Sequence, residues 1–238
     1  MSEVPAVSDA AHEYVFACLT AFLRDALPVL ARTYQWKIPE PVPFDAYEPR
    51  GTTRLDQNLG LRSFLADRWA KANAEERFEI ARWYVRDWGH VRRNGDARLR
   101  DYAEREPVDL LKRRLAGIAS WSKVLAIRDP RRFAIYDARV ATSLNAVQLA
   151  YGDRELKVRF DRLPGRNKTL NVFWSKREEW AGWKTAQRIE SADAYSLYLN
   201  ILEGQNRLRR RAEDWHLYEM ALFAAAEELA QRALAKEK

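Results

Sequence analysis

The stretch AGIASWSKVLAIRDPRRFAIYDARV, residues 116–140, decides how this chain is read. Just upstream, Pro107 opens a helical run, PVDLLKRRL, at a position where its missing N–H costs nothing. Gly117 follows that run and suits the left-handed cap that ends a helix at Leu115. Ser120 can cap the next helix, SWSKVLAIRD, which Pro130 stops. After PRRFAIY, Asp137 stands where the N-cap of a further helix, ARVATSLNAVQLAYG, is expected. The order is helix, tight turn, helix, loop, and then one carboxylate at the head of a third helix.

Outward from this centre the chain reads as helical. Residues 10–34, AAHEYVFACLTAFLRDALPVLARTY, form an amphipathic pattern bent at Pro28. KIPEPVPFDAYEPRGTTR carries prolines at 39, 41, 43 and 49, which predicts an extended connector. From Leu59 to Trp88 the apolar spacing is helical again, with a break at Asn73 or Ala74. DWGHVRRNGDARLRDYAEREP is a basic segment punctuated by Gly89 and Gly95 as turns. Residues 153–176 are the least helical, with KVRF as a short strand and RLPGRNKT as a loop. Two helices follow, over 189–203 and 206–236. The expectation is an all-α fold, with two helical half-domains around a cleft and a central helix-hairpin-helix. The N-terminal helix packs on the C-terminal ones. The whole chain, 1–238, forms one compact unit, in which 107–150 is flanked by helices from 10–105 and 151–238.

Composition narrows the partner. Forty-one Lys+Arg against thirty-four Asp+Glu give a net charge of +7, and Arg greatly outnumbers Lys. This balance suits a polyanion, because guanidinium forks match phosphate oxygens. Cys18 lies in an apolar run, EYVFACLTAFL, and reads as core. One thiol builds neither an intramolecular disulfide nor an iron–sulfur cluster, which suits a reducing cytosol. His12, His90 and His216 share no ligand spacing, so no metal is expected. No signal pattern and no uninterrupted apolar run of membrane-spanning length is read, which implies a cytoplasmic chain without a membrane partner.

The central segment resembles the helix-hairpin-helix DNA glycosylase superfamily. The motifs that carry the resemblance are LAGIA, in place of an L-P-G-(V/I)-G hairpin, and IYDARV, in place of a V-D-x-x-V context around a catalytic Asp. It covers roughly residues 107–150, and the remainder matches only in being helical. The chain departs from the pattern at Ala116, where the family has Pro, and at Ala119, where it has a second Gly. Counting as in lyase-capable members lands on Trp121, with Lys123 two residues further on. The resemblance therefore implies a monofunctional glycosylase rather than a Schiff-base enzyme. It also implies a monomer that acts on double-stranded DNA without a cofactor. Within the superfamily the chain looks like bacterial anti-phage glycosylases that remove bulky modified cytosines.

Physical reasoning assigns roles beside that resemblance. Backbone N–H groups at a helix start, with Gly for close approach, can grip a phosphate. Gly117, Ala119, Ser120, Ser122 and Lys123 are the candidates for that grip. Arg139 and the loop residues Arg166, Asn167 and Lys168 add cationic and amide donors to phosphate. Asp137 is the candidate catalytic carboxylate, since the helix dipole favours negative charge there. A fixed carboxylate beside a sugar carbon can stabilise an oxocarbenium-like state or orient water. Trp121, Tyr136 and Asn94 are candidates for a base pocket, because an extruded base stacks on aromatic faces. Two rival readings are a non-catalytic DNA-binding module, with Asp137 only a cap, and a helical interaction protein with a basic surface.

Overall fold

The structure, a computed structural model, describes residues 8–153, 156–209 and 215–235. It is an all-α protein whose described strands are two residue pairs. The chain gathers into two compact units: residues 30–136 form one, and residues 1–29 with 137–238 form the other.

The contiguous unit holds the hairpin. After a short helix α2 (Leu30–Thr33) and the proline-rich connector comes α3 (Arg54–Lys71), followed by α4 (Ala74–Trp83). The start of α3 lies five residues before the apolar pattern at Leu59. The reason is local: Thr53 and Asp56 cap each other's backbone N–H groups, a box that outweighs the polar composition of RLDQN. Asn73 and Glu76 form the same box for α4, at the break expected there.

A single π turn over Tyr84–Trp88 ends α4. It lets the Tyr84 and Trp88 rings stack with centroids 4.2 Å apart, and it aims the Trp88 indole N–H at Asn58 Oδ1, 2.8 Å away in α3. The segment read as turns around Gly95 contains α5 (Asp96–Glu104), with Gly95 as its N-cap. Leu99, Tyr102 and Ala103 are its buried face, a short i, i+3, i+4 pattern inside very polar sequence. Then come α6 (Pro107–Leu111) and α7 (Ile118–Arg128); α7 is buried almost throughout and packs on α3, α5 and the π turn.

The discontinuous unit is built around α8 (Ala138–Tyr151). From Val140 to Ala150 every residue of α8 is buried. The remaining elements, in chain order, are β1 (Val158–Arg159), α9 (Lys168–Glu179), α10 (Ala181–Thr185), β2 (Gln187–Arg188), α11 (Ala194–Arg209) and α12 (Trp215–Ala235). The N-terminal helix, here α1 (Asp9–Ala26), packs on α8, α11 and α12. Its bend is a 3-10 turn, Leu27–Val29, around Pro28. Asp9–Thr33 reaches a mean hydropathy of 1.5, long and apolar enough to cross a bilayer by composition. Within α1, Val15, Leu19, Phe22 and Leu23 are buried inside the protein.

Four polar side chains inside α8 explain how it can be so deeply covered. Thr142 Oγ1 accepts from the Trp174 indole at 2.9 Å, and Ser143 Oγ donates to Leu222 O at 2.7 Å. Asn145 and Gln148 use their amides as a strand would. Asn145 exchanges bonds with the N–H and C=O of Phe160, both at 3.0 Å. Gln148 does the same with Val158, at 2.9 and 3.1 Å. The KVRF strand read in the sequence thus has α8 amides along one edge and β2 in parallel pairing on the other. Helix α9, capped by Asn167, falls in the stretch expected to be least helical.

Candidate functional site

Helix α7 begins with Gly117 as N-cap in the left-handed region, φ +75°. Only glycine suits this position, for two reasons. The backbone conformation disfavours L side chains, and a Cβ here would run into the Tyr102 hydroxyl. Ser120 is therefore the third helical residue rather than the cap, and it is buried. Asn94 Nδ2 donates to Ser120 Oγ at 2.7 Å, and the Asn94 carbonyl accepts from Arg86 Nε at 3.0 Å. Asn94 thus ties the Gly89–Gly95 loop onto α7 instead of facing a base.

The start of α7 has donors to spare. Among the described residues, the N–H groups of Gly117 and Ala119 have no hydrogen-bond partner, while that of Ile118 between them is taken by Leu115 O at 3.3 Å. Gly117 is exposed and Ala119 half-buried. Four exposed arginines without a carboxylate partner among the described residues lie on the segments that meet this turn: Arg92 and Arg93 next to Asn94, Arg98 on α5 with Tyr102, and Arg114 just before Gly117. Arg92 and Arg93 lie on the loop that Asn94 anchors. Burial raises the pKa of the Tyr102 phenol, and the charges of Arg98 and Arg113 oppose that rise. The basic runs LLKRR and RRNGD, which hold Arg114, Arg92 and Arg93, read as cationic in the sequence; Arg98 does not stand out there. The 26-residue separation between Asn94 and Ser120 hides that the loop and the hairpin are neighbours.

Four further candidate site residues are core. Trp121 is 0% exposed, with its indole N–H on Ala116 O at 3.2 Å, and Tyr136 is 0% exposed. Neither ring offers a face to a stacked base, so both are corrected to core packing. Lys123 is 3% exposed; its Nζ donates to Ala119 O at 2.8 Å, and its alkyl chain crowds the space beside Gly89. Its stem occupies the interior and its charge is spent on α7's own first turn, so Lys123 leaves the list of phosphate contacts. Ser122, also 0% exposed, leaves that list too.

In the other unit, Asp137 is the N-cap of α8 as read. Its Oδ1 accepts from the N–H groups of Arg139 and Val140, at 2.9 and 3.3 Å, and its residue is half-buried. The loop RLPGRNKT lies over this helix start: a Cβ on Gly165 would stand 3.0 Å from that of Ala138. Asn167 Oδ1 caps α9 through Leu170 N at 3.1 Å, so it serves the loop's own geometry. Arg166 and Lys168 are exposed and have no carboxylate partner among the described residues. The structure therefore brings Asp137, Arg166 and Lys168 into one neighbourhood. Arg139 is drawn away: Nη2 pairs with Glu227 at 2.6 Å, and its guanidinium lies over Phe223, 5.0 Å from the ring centroid. Among the described residues, no three His, Cys, Asp or Glu side chains come together as a metal-binding group.

No family model, curated protein or solved structure matches this chain. The local geometry and the motif resemblance are therefore what a functional reading rests on.

Proposed function

We propose that this protein is a DNA glycosylase that hydrolyses the N-glycosidic bond of a damaged or modified base and leaves an abasic site. The observation that carries the reading is the half-buried Asp137, whose carboxylate is fixed by two N–H groups of a helix start. A carboxylate held this way needs no reorganisation to face positive charge developing on a deoxyribose. Arg166 and Lys168, beside it, suit phosphates next to the target nucleotide. The unpartnered N–H groups of Gly117 and Ala119, with the four arginines around them, suit a phosphate of the duplex. A modified cytosine of phage DNA is the base class that the motif resemblance favours. On this reading the protein works as a cytoplasmic monomer without a cofactor.

The burial of Trp121 and Tyr136 favours a second reading, a DNA-binding protein that performs no chemistry. Asp137→Asn separates the two, because Asn caps a helix as well as Asp does and so preserves the fold. Duplexes bearing different modified bases, including heavily modified phage DNA, are incubated with each protein, and released bases are read by mass spectrometry. The wild type releases one base class, and the variant does so at least about 100-fold more slowly at unchanged DNA affinity. Equal release by both proteins would remove Asp137 from the chemistry; binding without any release favours the second reading.

A further inference from the structure

Ser122, expected to touch DNA, has a different arrangement. Its side chain is fully buried, and its hydroxyl makes two bonds to one residue: Oγ accepts from Tyr136 N at 3.0 Å and donates to Tyr136 O at 3.3 Å. A hydroxyl is suited to this, having one donor and free lone pairs. The Tyr136 carbonyl shares a rigid peptide plane with the nitrogen of Asp137. Ser122 therefore fixes the peptide plane that ends in the Asp137 nitrogen, and the Asp137 carboxylate is held by the N–H groups of Arg139 and Val140. We infer that Ser122 is a positioning residue for the Asp137 carboxylate, acting through the Tyr136 backbone rather than through DNA; this rests on the glycosylase reading.

The location makes the case specific. Ser122 lies one turn into α7, in the helix that carries the Gly117 turn. Residues 129–136, between α7 and Asp137, are neither helix nor strand, and Phe133 to Tyr136 are buried. A second tether at Tyr136 would set where this loop ends. Small displacements of a catalytic group have large kinetic effects, so the tether would act on rate and leave binding alone.

The test uses the full chain and a duplex carrying the base that the wild type releases. Single-turnover release, duplex affinity, melting temperature and backbone amide exchange at Tyr136 are measured for wild type, Ser122→Ala and Ser122→Thr. Ser122→Ala should slow release by at least about tenfold, leave affinity within about twofold and speed Tyr136 exchange, with Ser122→Thr recovering most of the rate. Should Ser122→Ala melt below the assay temperature, Ser122→Cys is read in its place, with the same split expected. Release at the wild-type rate, or affinity falling in step with rate, overturns the positioning role while the glycosylase reading stands. A wild type that releases no base overturns the glycosylase reading and the positioning role with it.

Discussion

Helices α7 and α8 begin in opposite ways. Each presents the positive end of a helix, with donors that the helix itself cannot satisfy. At α8 the chain supplies its own anion: the Asp137 carboxylate takes the N–H groups of Arg139 and Val140. At α7 the N-cap is Gly117, which has no side chain to offer, and the N–H groups of Gly117 and Ala119 are without partners among the described residues. One end is closed and carries a negative group of its own; the other is open, and the segments that meet it carry exposed arginines. A phosphate suits the open end, and a developing cation suits the carboxylate at the closed one. The same dipole thus serves two chemistries, according to the residue at the cap.

The contrast depends most on Gly117, so the largest effect on stability is expected there. Gly117→Ala forces a side chain into the left-handed region and against the Tyr102 hydroxyl, which should cost about 3 kcal/mol in urea unfolding. In a Tyr102→Phe background the nearest ring carbon would be the Cζ, 3.4 Å from the new Cβ. Part of the loss should then return, leaving the strain of the backbone. If the two substitutions prove additive, the Tyr102 hydroxyl is not what excludes a side chain at 117.

A smaller loss is expected where α8 satisfies a neighbouring strand. Asn145→Ala leaves the N–H and C=O of Phe160 buried and unpaired, at a cost of about 2 kcal/mol. Val158 provides the control, since its partner Gln148 is untouched. Amide exchange should accelerate at Phe160 more than at Val158. Uniform acceleration would mean that the two amides do not act as separate struts.

Asp137 tests the closed end directly. Truncating its side chain to a methyl group removes the cap, and Asp137→Ala should lower stability by about 1 kcal/mol, whereas Asp137→Asn should lower it by only a few tenths. A melting temperature equally depressed in both would show that charge, not cap geometry, holds this helix start.

What the sequence made legible follows from how local each feature is. Pro28, Pro107 and Asp137 act within one turn, and the bend, the helix start and the N-cap occur where these residues predict; Gly117 is left-handed as read but caps the start of α7, because α6 ends at Leu111 rather than Leu115. Side-chain exposure was not legible. SWSKVLAIR carries Ser, Lys and Arg at spacings that suit an amphipathic helix, yet Ser120, Ser122 and Lys123 are all buried. Their partners, Asn94, Tyr136 and Ala119, include two that lie 26 and 14 residues away. Helix α5 was missed for the opposite reason: its buried face is three residues in a strongly polar run. Near the hairpin, Arg114 is legible as a neighbour because it lies three residues before Gly117, whereas the Arg92–Arg93 loop and Arg98 reach the same turn only through the Asn94–Ser120 and Tyr102–Gly117 approaches.

On the proposed glycosylase reading, the smallest expected effect bears on which residues meet the DNA backbone beside Asp137. Arg166 and Lys168 are exposed and have no carboxylate partner among the described residues, so neutralising them should change stability by less than about 0.5 kcal/mol. On the glycosylase reading, their contribution lies in binding. A cation on a phosphate displaces condensed counterions, so each one removed should lower the slope of log affinity against log salt by about 1. Arg166→Gln and Lys168→Gln should each give that decrement. Arg139→Gln should leave the slope almost unchanged, because Glu227 and Phe223 already hold that guanidinium. The comparison of three cations around one helix start is sharper than any of them alone, since all carry the same formal charge. Equal decrements for the three would mean that Arg139 exchanges Glu227 for phosphate on binding. A full decrement at Arg139 with none at the other two would move the DNA backbone off the Gly165 loop and onto α8 itself.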